Sequence, residues 1–147
     1  MSLKDRLLED MKIAMREKDV IRKNTIQMAR SSVLQVEKDN RITLDDDGIL
    51  EVIAKEVKKR RDALPEFEKS GRQDLIDNLK TEIEVLLQYL PQQLSMEELE
   101  VFVRQAVQET GAASVRDLGK IMQVVMPKVK GRADGKAINM IAKKILE

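Results

Sequence analysis

Ser2 before Asp5, Thr43 before Asp46, Ser95 before Glu98 and Ser114 before Asp117 each set a hydroxyl side chain three residues ahead of an acid. Such a hydroxyl accepts a first-turn N–H that has no carbonyl partner inside its helix, and the acid favours the positive helix end. Each mark predicts a helix start. Ser70-Gly71-Arg72-Gln73 is a weaker copy, with Gln in the fourth place. Between the marks, apolar residues recur at steps of three and four, and the alternation of a half-buried strand is missing. The expected class is all-α, with an N-terminal bundle of about four helices and a small C-terminal three-helix domain.

The first helix is predicted over about Ser2–Lys18, with Leu3, Leu7, Met11 and Met15 on one stripe. The second, about Val20–Asn40, carries Ile26, Ala29, Val33 and Val36. A third starts near Leu44 and shows Leu50, Ile53, Val57, Leu64 and Phe67; Pro65 falls late in it and should kink or weaken it. The fourth follows Ser70-Gly71 with Leu75, Leu79, Ile83, Leu86 and Leu90, a stripe suited to antiparallel packing on the third. Tyr89-Leu90-Pro91-Gln92-Gln93-Leu94-Ser95 reads as a boundary, because Pro91 ends one helix and Ser95 caps the next. The expected domains are therefore 1–92 and 93–147. Three shorter helices follow, about Met96–Thr110, Val115–Val129 and Gly135–Leu146. Met11, Met15, Met122 and Met126 sit on or beside apolar stripes and are expected to fill the cores.

The chain has no Cys and no His. Disulfides, thiolate nucleophiles, imidazole bases and zinc sites of the usual nitrogen and sulfur type are thereby excluded. The carboxylates are dispersed over helix surfaces, so no catalytic centre, metal or cofactor is expected. The N-terminal MSLKDRLLEDMKIAM mixes acids with bases, unlike a signal or transit peptide, and no apolar run approaches the ~18 residues of a membrane span. With the missing cysteines, this sets the expectation of a cytoplasmic protein with no membrane partner.

Charge is unevenly placed. The whole chain has 27 basic and 26 acidic residues, yet from Ser114 onward eight basic residues face three acidic ones. Within that stretch VKGRADGKAIN, Val129 to Asn139, looks like a clipped phosphate-binding loop. It fails as a Walker loop: Gly131 and Gly135 enclose three residues rather than four, Lys136 precedes Ala137 rather than a hydroxyl, and the preceding residues read as helix. Gly131 instead suits the left-handed end of one helix, and Asp134 the N-cap of the next. Around that joint Lys128, Lys130 and Arg132 crowd together. On the last helix Lys136, Asn139, Lys143 and Lys144 share the face opposite Ile138, Ile141 and Ile145; on the preceding one Arg116, Lys120 and Gln123 lie opposite Leu118, Met122, Val125 and Val129. Two basic helix faces joined by a basic turn suit a polyanion. Lysine contacts to phosphate give affinity and salt dependence with little sequence reading, and without aromatics in this region stacking on single-stranded bases is not expected. The target would be a folded nucleic acid read by shape. The run Lys58-Lys59-Arg60-Arg61 is read as a solvated face, because Glu51 and Glu56 offer partners to Lys55 and Arg60 four residues on. Asp45-Asp46-Asp47-Gly48 is read as a helix start, because a calcium loop aligned on Gly48 would put Ala54 where a glutamate is required.

Leu118-Gly119-Lys120-Ile121-Met122, Val125-Met126-Pro127-Lys128, Lys130-Gly131-Arg132-Ala133-Asp134-Gly135 and Asn139 together resemble the signature of the GatB/YqeY family. Tyr89-Leu90-Pro91-Gln92-Gln93-Leu94 resembles the family's segment between its two helical parts, and the likeness extends over nearly the whole chain, as in the stand-alone YqeY-like members. Gln123 departs from the pattern, in which a small residue is usual. The resemblance implies a helical bundle followed by a three-helix domain similar to the tail of the tRNA-dependent amidotransferase B subunit, which engages the body of the tRNA while the chemistry occurs elsewhere. By that analogy Lys120, Lys128, Lys130, Arg132 and Lys136 would meet phosphates. The label carried by such chains is carbon–nitrogen ligase with glutamine as amide donor. The kinase core and the amidase of that reaction have no counterpart in this sequence. The expectation is thus a non-catalytic accessory protein that binds tRNA or another structured RNA, beside a protein of aminoacyl-tRNA metabolism. The alternatives are a helical protein–protein adaptor and a component of a ligase assembly.

Overall fold

The computed structural model describes residues 1–147 and is all-helical. In chain order the elements are α1 (Leu3–Arg16), α2 (Val20–Asn40), α3 (Asp46–Ser70), α4 (Gln73–Leu87), α5 (Met96–Thr110), a 3-10 turn over Val115–Asp117, α6 (Leu118–Lys128) and α7 (Gly135–Leu146). The chain divides into two compact units, Met1–Leu90 and Pro91–Glu147.

Most helix starts follow the caps. Ser2 accepts from Asp5 N, and Ser95 forms a reciprocal capping box with Glu98. Three expectations are corrected. The cap of α3 is Asp45, which accepts from Gly48 N at 2.9 Å; its carboxylate outcompetes the Thr43 hydroxyl because it brings charge to the positive helix end. Ser114 and Asp117 close a 3-10 turn rather than starting α6, which begins three residues later than Val115. Ser70 does not cap α4; its hydroxyl donates to Phe67 O, and Gly71, at φ 70°, ends α3. Pro65 lies inside α3, and the helix continues through it to Ser70.

In the first unit α1 packs on α2 and α3 on α4, around Leu7, Ile26, Ile49, Ile53 and Leu86. Met11 lies at this core, but Met15 is 56% exposed. Residues taken at four-residue steps drift by about 40° each time around a helix of 3.6 residues per turn. By Met15 the stripe has rotated to solvent, and Ala14 takes the inward place. Leu64, Phe67, Leu75, Ile76 and Leu79, towards the α3–α4 link, lie outside the main core cluster.

Arg60 is the second correction by burial. It is 7% exposed, not part of a solvated face, and Glu56 beside it is 5% exposed. Arg60 Nη1 donates to Glu56 Oε2 at 2.9 Å, Ser32 Oγ of α2 donates to Glu56 Oε1 at 2.8 Å, and Glu82 of α4 lies 3.5 Å from Arg60 Nε. Burial works to raise the Glu56 carboxyl, but the hydrogen bonds from Arg60 and Ser32 outweigh it and hold the group below its ordinary value. Three helices are thereby pinned in register by one charged cluster. A second polar cluster surrounds Tyr89, whose hydroxyl donates to Asp10 Oδ2 at 2.6 Å under the Arg6 guanidinium.

Truncating one member of a buried pair leaves the other charge unmatched, so Arg60→Met should cost about 3 kcal/mol in urea unfolding, and Glu56→Met/Arg60→Met together should recover most of it. A carboxyl held below its unfolded pKa stabilises the fold above that value and loses the contribution as pH falls through the folded one. Unfolding midpoints should therefore drop on acidification below about 4.5, and less steeply in Glu56→Gln.

Candidate nucleic-acid interface

The C-terminal unit packs α5, α6 and α7 around Leu99, Val103, Ile121, Val125, Val129 and Ile138. Val129 caps the C-terminus of α6, and Gly131, at φ 75°, turns the chain back. Asp134 then caps α7 by accepting from Lys136 N at 3.2 Å, so the joint has the architecture its glycine and aspartate predict. Because the Asp134 carboxylate takes the Lys136 N–H at the α7 N-terminus and brings negative charge there, the basic side chains around the bend suit an anion better than that helix end does.

The candidate residues are placed as follows. Lys128, Lys130 and Lys136 are exposed around the bend, and Arg132 is half-buried within it. Lys120 is exposed two turns back along α6, and Lys143 and Lys144 are exposed in the last turn of α7. Cations in a last helical turn also complement the negative helix end, which gives those two lysines a local role. Carboxylates of the same unit reach two of the set: Asp117 lies 3.6 Å from Lys120, and Glu109 lies 3.6 Å from Lys128. Asp117 is held below its ordinary pKa first by the Ala113 N–H and also by the Ser114 N–H, so it stays ionised beside Lys120. Arg132 is anchored: its Nε donates to Gln92 O at 3.1 Å.

Asn139 is exposed on the outer face of α7, beside an equally exposed Met140. Gln123 is exposed on α6. Met122 packs against the core, whereas Met126 is 40% exposed rather than core filling. Both methionines stand beside Gly135, where a β-carbon would come within 3.5 Å of Met122 Cε and 3.8 Å of Met126 Sδ. Met126 thus covers the start of α7 from outside. Gly119 is exposed, with open space where a β-carbon would project, so nothing within the chain requires glycine there. Sequence reasoning missed Gln92 and Gln93, which bond to the bend from about forty residues away. Their sequence marks were the boundary-like Pro91-Gln92-Gln93 and the likeness of that segment to the family's joint, and neither pointed to a contact with the bend.

A model of Yqey-like proteins matches residues 4–146, nearly all of the chain. This chain belongs to the YqeY-like family. It is similar to the protein named altered inheritance of mitochondria protein 41, mitochondrial, of Pyrenophora tritici-repentis, at 28% identity over 130 residues, covering 87% of this chain and 71% of that one. The protein of the same name in Kluyveromyces lactis is 37% identical over 84 residues, 56% of this chain and 45% of that protein. An uncharacterized protein of Schizosaccharomyces pombe is 32% identical over 93 residues, 63% of this chain and 72% of that one. The matched region thus spans less than half of one of these relatives and about seven tenths of the other two.

These names overturn the cytoplasmic expectation, because the relatives from Pyrenophora, Kluyveromyces and Lachancea are named mitochondrial proteins. Composition failed here for a physical reason. A compartment address is carried by separable segments read by receptors, not by the cysteine content of a folded part. No helix is long and apolar enough to cross a membrane.

The two glycines should answer alanine in opposite senses. Gly119→Ala should raise the unfolding free energy by about 0.5 kcal/mol through helix propensity, whereas Gly131→Ala should lower it by about 1 kcal/mol because of its left-handed backbone. Thermal unfolding of the two variants measures both.

Proposed function

We propose that this chain is a non-catalytic RNA-docking accessory protein whose C-terminal unit receives the phosphate backbone of tRNA or another structured RNA. It would act beside a protein of aminoacyl-tRNA metabolism. The observation that carries the reading is the gathering of Lys128, Lys130, Arg132 and Lys136 around the single bend between α6 and α7. The Lys120–Asp117 and Lys128–Glu109 pairs do not oppose it, because exposed pairs contribute at most about 1 kcal/mol and a phosphate can displace them. Phe102, partly buried against the unit's core, lies on α5 and apart from the basic α6–α7 bend in sequence, which favours a folded RNA recognised through its backbone. The choice of tRNA rests on the likeness to the amidotransferase tail. Within a ligase assembly the same surface would be the tRNA arm, and the reaction would belong to other chains.

One observation favours a second reading, a protein–protein adaptor. The exposed side of α2 carries Val20, Met28 and Leu34 among Asn24, Gln27, Ser31 and Gln35, a face with no charge before Lys38 on a chain with 36% charged residues.

Titration with bulk tRNA at two salt concentrations separates the two. The RNA reading expects micromolar binding at low salt that weakens by a factor of about 1,000 between roughly 50 and 200 mM, as for about six phosphate contacts. Lys130→Glu/Arg132→Glu/Lys136→Glu should abolish it. Absent binding, or binding indifferent to the triple change, removes this function and leaves the adaptor.

A further inference from the structure

The bend between α6 and α7 is held from outside by the segment that leads into the C-terminal unit. Gln93 Nε2 donates to Gly131 O at 2.7 Å, and Leu94 N donates to Arg132 O at 2.9 Å. In return Arg132 Nε donates to Gln92 O at 3.1 Å, and Pro91 Cδ lies 3.6 Å from where a β-carbon on Gly131 would stand. Arg132 N also closes back on Val129 O at 2.8 Å. Arg132 is therefore fixed through its backbone N–H, its carbonyl and its side chain.

That fixation separates Arg132 from the lysines around it. An exposed lysine must lose rotamer freedom to hold a phosphate, and it presents a point charge. A guanidinium bonded through Nε has its plane set, while Nη1 and Nη2 form the edge that matches two oxygens of a phosphate. Using Nε for the brace leaves that edge for a ligand.

We propose that Arg132 is the preorganised phosphate contact of this protein, receiving two oxygens of one phosphodiester, and that Gln93 is the positioning residue that holds it. The inference rests on the RNA-docking reading and narrows it to one ligand group at one side chain. Pro91–Leu94 is then a splint for the docking bend, and Lys130 and Lys136 supply field around a fixed centre.

Bulk tRNA titrations of Arg132→Lys, Gln93→Ala and Lys136→Arg at two salt concentrations test this, with hydrogen exchange of the Leu94 amide measured on the same proteins. Arg132→Lys keeps the charge but loses the fork and the brace. It should weaken binding about tenfold at both salts, with the salt dependence unchanged. Gln93→Ala keeps the fork and loosens its support, so it should weaken binding about threefold and expose the Leu94 amide to exchange. Lys136→Arg should change affinity less than about twofold. Equal losses in Arg132→Lys and Gln93→Ala would make Arg132 a brace only and overturn the phosphate assignment. Lost Leu94 protection without lost affinity would overturn the positioning role of Gln93. Should Arg132→Lys unfold below the assay temperature, Gln93→Ala carries the test with the guanidinium in place. If the unaltered protein shows no salt-dependent binding, the RNA reading itself falls. Binding by the unaltered protein that all three variants match would sink this inference alone.

Discussion

Unpaired backbone groups at helix ends are the constraint on which this molecule depends. Each helix leaves first-turn N–H groups and last-turn carbonyls without partners, and seven helices in 147 residues multiply those ends. The cores on either side are built from aliphatic side chains of modest size, with Tyr89 the one aromatic fully within them. Unsatisfied ends would therefore be costly in proportion to what packing supplies. Ser2, Asp19, Asp45, Ser95, Ser114 and Asp134 meet this at the starts, each with a side-chain oxygen accepting a backbone N–H. The α6–α7 bend meets it differently. Its carbonyls at Gly131 and Arg132 are taken by Gln93 and Leu94, which ties a structural necessity to the most basic part of the surface.

What the sequence made legible follows from interaction range. Caps act over three residues, and Ser2, Ser95 and Asp134 were readable as written. Thr43 misled because two kinds of capping oxygen stood within two residues and only their competition decided between them. The Lys120–Asp117 pair was within local reach, whereas Lys128–Glu109 required the packing of α6 on α5. Arg60 shows the same limit. Four consecutive cations look solvated, and only Ser32 and Glu82 arriving from other helices reveal one of them as buried.

The candidate site divides along that line. Its lysines were evident as an excess of charge in the last third of the chain, and its glycine bend as a helix joint. The Gln92 and Gln93 contacts were invisible, because amide side chains forty residues away carry no periodic signal. Membership of the YqeY-like family agrees with the motif residues gathered at that bend, while Gly119 and Gln123 remain on open surface of α6.

The far end of the α3–α4 hairpin has a different character. Pro65 lacks the N–H that would bond one turn back, and between it and the buried Ile76 and Leu79 only Phe67 and Leu75 are partly shielded. With so little anchoring, that tip can fray while the register cluster of Glu56 and Arg60, one to two turns below, stays closed. The bundle is thus graded along its length, firm where three helices share a charge and compliant at its outer extremity. Slow exchange of amides near Arg60 and rapid exchange past Phe67 would coexist within one continuous helix.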